Sequence, residues 1–243
     1  MTKIIGISGR KQSGKSTSGN FILSLFIAKM EIAKSVSLNE KGEIVVSDLM
    51  GKKEYTGVFD ATWAEYETDF IRKQCYQRLA PLCKIYTFAD ILKKDICMNI
   101  LGLTKEQCYG TDEDKNSLTE LVLDNHKMSA RDVMQYIGTD IFRKCKPNVW
   151  VDATINKIKK DKPEIAIITD CRFPNEIELI KNHNGKVLRL TRNPYNSDHI
   201  SETILDQKCY DWSNFDHIIN NDHMTIYEQC KEIQNIIQEL VQL

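Results

Sequence analysis

Eight consecutive residues constrain this chain more than any others: Gly9-Arg10-Lys11-Gln12-Ser13-Gly14-Lys15-Ser16 fits G-x-x-x-x-G-K-[ST] without departure. Such a loop wraps a phosphate with inward-pointing backbone N–H groups, and it works only between a strand and a helix. Both are present. Lys3-Ile4-Ile5-Gly6-Ile7-Ser8 is a short β-branched run, the pattern of a strand buried on both faces. From Lys15 to Met30 the residues Phe21, Leu25 and Ala28, with Ile22 and Phe26 beside them, recur at helical spacing. In this arrangement Gly9 to Ser16, with Thr17 after them, bind a nucleoside triphosphate. Lys15 reaches the β- and γ-phosphates, the Ser16 hydroxyl ligates Mg²⁺, and the helix N-terminus adds its positive dipole end.

Further strands alternate with helical segments. Lys84 to Phe88, Ile165 to Thr169, Lys186 to Thr191 and His217 to Ile219 read as strands. Helices are expected over Glu65 to Leu79, from Ile91 through Ile96, Ile100 and Leu101, over Thr104 to Gln107, and from Ser129, an N-cap with Val133, Ile137 and Ile141 inward. Others follow at Val149 to Ile158, Asn175 to Asn182, and Ile226 through Cys230, Ile233, Ile237 and Leu240. This alternation predicts an α/β fold with a mainly parallel five-stranded sheet flanked by helices. Residues 31–64 read as an insertion, mostly a surface excursion, with Glu43 to Ser47 as one strand of a small hairpin after the turn at Lys41-Gly42. Gly110 to Asn116 reads as a polar loop.

Composition narrows the function classes. Of the 243 residues, 42% are hydrophobic and 28% charged, and the formal net charge of -1 speaks against a protein that coats a nucleic-acid polymer. Nothing approaches eighteen consecutive apolar residues, so no membrane partner is expected. The eight cysteines show no Cys-x-x-Cys pair and read as reduced, mostly buried thiols of a cytoplasmic protein. The same missing pairs argue against zinc.

Beyond the loop, Asp170 stands at the carboxyl end of an apolar strand, where ligands of parallel sheets bind. It is either a turn residue or, given the loop, the acid that holds Mg²⁺. Arg172 follows on the same rim and Arg192 lies just past the fourth strand, both suited to charge on a moving phosphoryl group. Arg131 opens a helix whose end can face an anion, or is an ordinary surface arginine. Asp198-His199-Ile200-Ser201-Glu202 is either a helix start capped by Ser201 or part of a lid over the phosphates. His199 and the other histidines receive no role.

Several segments in one order carry a resemblance. They are the P-loop; Tyr86-Thr87-Phe88-Ala89-Asp90; Gln107-Cys108-Tyr109-Gly110-Thr111-Asp112; Ser129 through Asp140; Val149-Trp150-Val151; Thr169 through Glu176; and Ser197 through Glu202. Together the chain resembles the deoxynucleoside monophosphate kinases of tailed bacteriophages, enzymes of nucleotide biosynthesis. The resemblance implies a single P-loop kinase domain over 1–243, with acceptor-binding segments and a lid at about 193–205. It implies transfer of the γ-phosphoryl group of ATP, with Mg²⁺, to a deoxynucleoside 5′-monophosphate. Phe88, Asp90, Arg131 and Gln135 would line the acceptor site, with Asp90 and Gln135 toward base or sugar. Arg131 and Arg172 would grip the acceptor phosphate, while Arg192 would reach the γ-phosphate from the lid side.

The alternatives are another small-molecule P-loop kinase, acting on dephospho-coenzyme A or a nucleoside, and a non-catalytic ATP- or GTP-binding switch. The isoleucine-rich C-terminal helix and the 31–64 insertion are candidate contact surfaces for a homodimer.

Overall fold

The computed structural model describes residues 2–63, 68–194 and 200–241. The chain divides into two compact units, Met1–Tyr86 with Ile158–Leu243, and Thr87–Lys157.

The first unit opens with β1 (Lys3–Ser8), buried from Ile4 onward, and α1 (Lys15–Lys29), whose Ile22, Leu23, Phe26 and Ile27 face the core. Strands β2 (Ser35–Leu38), β3 (Ile44–Ser47) and β4 (Gly57–Val58) form a small antiparallel sheet. The hairpin at Lys41-Gly42 is therefore present, and although Gly51 to Glu54 are exposed, the segment is not surface throughout. Ile32, Ile44, Val46, Leu49 and Phe59 are buried in the same core cluster as α1 and β1. Short strands with one apolar face look polar overall in sequence, and only packing shows that face to be covered.

Helix α2 (Phe70–Leu79) starts later than expected. Asp69 caps it by accepting from the Arg72 amide at 2.8 Å, and the expected start at Glu65 lies outside the described residues. Strand β5 (Cys83–Tyr86) ends this part of the unit.

The second unit begins with a π-helical segment, Ile91–Met98, where an α-helix was expected. Next come α3 (Lys105–Tyr109), capped by Thr104, and α4 (Asp112–Asn116), capped by Thr111. Helix α4 replaces the expected polar loop. The Asp114 carboxylate accepts two hydrogen bonds from Thr111, from the amide and the hydroxyl, closing a capping box that stabilises a single turn. A hairpin of β6 (Leu118–Leu123) and β7 (His126–Ser129) follows, with Asp124 and Asn125 both at positive φ. Ser129 caps α5 (Ala130–Gln135) as expected, and a second π-helical segment, Tyr136–Arg143, continues it. Val133 is buried, but Ile141 is exposed because the π turn rotates the face beyond Gln135. Helix α6 (Val149–Asp161) opens here, and the Trp150 indole donates to the Gly138 carbonyl at 3.0 Å.

The chain re-enters the first unit at Ile158, within α6, and continues with β8 (Ile165–Cys171), α7 (Pro174–Asn182) and β9 (Lys186–Leu190). Helix α8 (Ile200–Thr203), a 3₁₀ turn at Trp212–Asn214, β10 (His217–Ile219) and α9 (Ile226–Val241) complete it. Ser201 lies inside α8, so it does not precede the helix as a cap. Of the expected lid, residues 195–199, including His199, lie outside the described residues, as does the Leu240 side chain. Cys230, Ile233, Ile236 and Ile237 of α9 are buried in this chain's own core.

The main sheet has five strands in the order β10-β9-β1-β8-β5, every pair parallel. From central β1 the chain builds β5 and β8 on one side, then crosses to β9 and β10 on the other. The strand order reverses at β1, which is where parallel sheets open a crevice beyond their carboxyl ends. Ser8, the last residue of β1, pairs with Cys171 on β8 and Arg189 on β9. The residues after these three strands therefore meet at one level.

Candidate active site

The loop leaving β1 turns at once, with the Ser13 amide donating to the Arg10 carbonyl at 3.1 Å. Gly14 sits at φ 100°, a left-handed conformation that costs a glycine little, and Lys15 then begins α1. The loop's outward carbonyls have fixed partners. Asn221 donates from Nδ2 to the Ser13 carbonyl at 2.8 Å and to Gln229 Oε1 at 2.7 Å. Gln229 Nε2 reaches the Gly14 carbonyl at 3.2 Å and Ser18 Oγ at 2.9 Å. Both amides are buried. A peptide whose carbonyl is tied outward turns the following N–H inward, so these residues help aim the cradle.

Lys15 is buried, and its ammonium donates to the carbonyls of Gly9 at 2.8 Å and Arg10 at 2.6 Å. Burial, and then the Arg172 cation, pull its pKa down to about 8, against the opposing charges of Glu202 and Asp170. The expected catalytic residues Lys15, Asp170 and Arg172 thus share one electrostatic neighbourhood.

Arg172 is placed by the start of α7. Its backbone amide and that of Phe173 both donate to the buried Glu176 carboxylate, at 2.6 Å and 3.0 Å. Its guanidinium binds Glu202, whose other oxygen accepts from the Lys11 amide at 2.5 Å. Arg10 forms a two-armed pair with Asp206, with Nε on Oδ1 at 3.1 Å and Nη2 on Oδ2, and it also touches Asn193. Buried Arg189 on β9 donates to Ser8 Oγ at 3.1 Å, lies 3.7 Å from Asp206, and covers the rings of Trp212 and Phe215. Arg192 is directed elsewhere: its guanidinium donates to the carbonyls of Asn221 and Met224.

Of the acceptor candidates, Arg172 belongs to the first unit, and Phe88, Asp90, Arg131 and Gln135 belong to the second. Phe88 is buried. Asp90 accepts from the Tyr109 hydroxyl at 2.8 Å on one oxygen and from the buried Lys94 ammonium at 3.1 Å on the other. Arg131 is clipped to α4, with Nε to Asn116 and Nη2 to Asp112, both at 2.8 Å. Gln135 is exposed. Glu202 falls in a segment with two open readings, and the sequence pattern assigns no role to Arg189, Asp206, Asn221, Gln229, Lys94 or Tyr109. A signal existed for Arg189 alone, as a charge placed inside an apolar strand.

The oxygen donors suit a hard cation. Ser16 presents an exposed hydroxyl on the first turn of α1, and half-buried Asp170 is the penultimate residue of β8, next to Cys171, which pairs with the last residue of β1. Among the described residues no helix is long and apolar enough to cross a membrane. None of the eight cysteines forms a disulfide, and six of them are buried.

A parallel sheet reversing at a complete phosphate loop, with arginines on the neighbouring strand ends, defines an α/β nucleotide kinase of the P-loop type. Residues 3–230 match the family model for deoxynucleotide monophosphate kinase, and the chain belongs to that family. A relative from Acanthamoeba polyphaga mimivirus, named as a deoxynucleotide monophosphate kinase, is 29% identical over 172 residues, covering 65% of this chain and 84% of its own. The deoxynucleoside-5′-monophosphate kinase of Escherichia phage T5 is 31% identical over 115 residues, or 42% of this chain and 46% of the phage protein.

Proposed function

We propose that this enzyme transfers the γ-phosphoryl group of ATP to a deoxynucleoside 5′-monophosphate, giving the diphosphate and ADP. The observation that carries the reading is the shared neighbourhood of Lys15, Asp170 and Arg172 at the end of the P-loop strand. The donor groups are the loop amides from Gly9 to Thr17 and the Lys15 ammonium. Once a polyphosphate arrives, Lys15 exchanges two neutral carbonyls for anionic oxygens and stays protonated.

The acceptor attacks through a phosphate oxygen that is already ionised, so no strong general base is required. Positioning in line and neutralising charge on the moving group are sufficient, and Arg172 supplies that charge from the β8 rim. Arg192 joins it from the lid side only after giving up the carbonyls of Asn221 and Met224. Ser16 and Asp170 would hold Mg²⁺, which supplies charge neutralisation at the phosphates when bound.

On the acceptor side, Arg131 serves the monophosphate. Asp90, fixed from both sides by Tyr109 and Lys94, orients toward base or sugar with Gln135, and Phe88 supplies an apolar wall. Residues 193–205 act as the lid that excludes water, which would otherwise accept the phosphoryl group. The unpaired thiols fit a reducing cytoplasm, that of the infected cell for a protein with viral relatives such as these.

An ADP-release assay over a panel of deoxynucleoside and ribonucleoside monophosphates, dephospho-coenzyme A and nucleosides tests the reading. Turnover with at least one deoxynucleoside monophosphate is expected. Turnover only with another acceptor overturns the substrate assignment, and tight ATP binding without acceptor-stimulated turnover would make the protein a switch.

A further inference from the structure

The Glu202 carboxylate occupies donors that an anionic substrate would use. One oxygen accepts from the Lys11 amide of the P-loop at 2.5 Å, and the other accepts from the Arg172 guanidinium. The residue is nearly buried, at 9% exposure, so water does not replace these bonds. Lys15 meanwhile rests on the loop's own carbonyls. To an amide and a guanidinium, a carboxylate oxygen and a phosphate oxygen offer the same chemistry: a charged acceptor at short range. They cannot hold the same donors together, and their like charges repel.

We infer that Glu202 is a resident anion of the P-loop, exchanged for a phosphate oxygen of the incoming nucleotide, and that it keeps Arg172 in position until that exchange. It is a positioning residue, since it leaves the donors before the reacting groups arrive. The inference rests on the nucleotide-binding reading of the loop and is independent of the acceptor's identity. Displacing the carboxylate subtracts from nucleotide affinity, because only the fraction of molecules with open donors is competent to bind. A Glu202 that merely braced Arg172 in the bound state would add to affinity instead. The two roles predict opposite signs.

Calorimetric titration of the full chain with ATP, without acceptor, separates them, and inorganic tripolyphosphate serves as a second probe lacking base and sugar. Glu202→Gln keeps the size and removes the charge; Glu202→Asp keeps the charge and withdraws it by one methylene. The expected result is a Kd lowered roughly tenfold for both probes in Glu202→Gln, with a smaller gain in Glu202→Asp. In the Gln variant the KM for ATP falls while kcat does not rise, because Arg172 loses its guide. Unchanged or weakened binding in either folded variant overturns the exchange. Should Glu202→Gln not fold, the Asp variant alone decides. Wild-type protein that binds neither probe overturns the P-loop reading along with this one. Binding without turnover of any deoxynucleoside monophosphate overturns only the acceptor assignment.

Discussion

The Asn221 side chain donates to the Ser13 carbonyl at 2.8 Å, tying the segment after β10 to the crest of a loop more than two hundred residues earlier in the chain. Asn221 is wholly buried, and its amide also holds Gln229, which in turn holds Gly14 and Ser18. Replacing Asn221 by Ala strands the Ser13 carbonyl and Gln229 Oε1 in a dry place, each at about 1–3 kcal/mol. The expected outcome is a fall in unfolding free energy of about 2–6 kcal/mol and an ATP Kd raised about tenfold, read by denaturant titration and calorimetry. Lost stability with unchanged ATP affinity would confine Asn221 to a structural role.

Lys15 carries a pH signature. Its pKa is about 8 in the ligand-free protein, whereas an unfolded lysine titrates at about 10.4. Between those values the unfolded chain binds more protons, so the contribution of this group makes the ligand-free protein more stable as pH rises from about 8 to about 10.4. Nucleotide binding pulls the other way, because polyphosphate favours the ammonium. ATP affinity is expected to weaken above pH 8 with uptake of a proton, measured by calorimetry in buffers of different ionisation enthalpy. Lys15→Ala should abolish that uptake and lower kcat at least about 10²-fold. Proton uptake unchanged in the variant would assign it to another group.

Gly42 ties the small sheet to the nucleotide loop's helix. It lies at φ 75° in the β2–β3 turn, and a Cβ there would come within 2.2 Å of Thr17 Oγ1 on the first turn of α1. The Asn20 side chain also donates to the Gly42 carbonyl at 2.9 Å. Gly42→Ala meets both backbone strain and a clash, and should cost about 1–3 kcal/mol of stability. Thermal unfolding with and without ATP checks it. A melting temperature equal to wild type would mean that the turn relaxes freely.

The main sheet was legible because each of its strands is a compact apolar run, and the P-loop because its residues are adjacent. Other parts were hidden for identifiable physical reasons. The β6–β7 turn uses Asp124-Asn125 at φ 49° and 63°, without the glycine that usually marks such a turn. Ile44 and Val46 alternate with half-buried neighbours, so their strand looked superficial until α1 and Phe59 were seen to cover it. Asn221 and Gln229 are polar residues of the kind that normally face water, and only their partners reveal them as parts of the cradle. The Glu202 contact joins the Lys11 amide and Arg172 from 191 and 30 residues away, a separation no local pattern encodes.

The proposed role of Arg131 is on the acceptor side alone, which makes it a test of that assignment. Its guanidinium is exposed enough to meet a ligand, yet held by Asn116 and Asp112 of α4. A pre-oriented fork binds a phosphate with less loss of side-chain freedom than a loose one. Arg131→Ala should raise the KM for the deoxynucleoside monophosphate by tenfold or more, about 1.4 kcal/mol, with little change in ATP affinity. Asp112→Ala leaves the Arg131 charge in place but loosens the fork, so the same KM should rise by a smaller factor with ATP again unaffected. Steady-state kinetics with each substrate varied in turn distinguishes the cases. Equal losses for both substrates in Arg131→Ala would remove Arg131 from the acceptor pocket, and a lower acceptor KM in Asp112→Ala would show that the pairing restrains the arginine rather than presenting it.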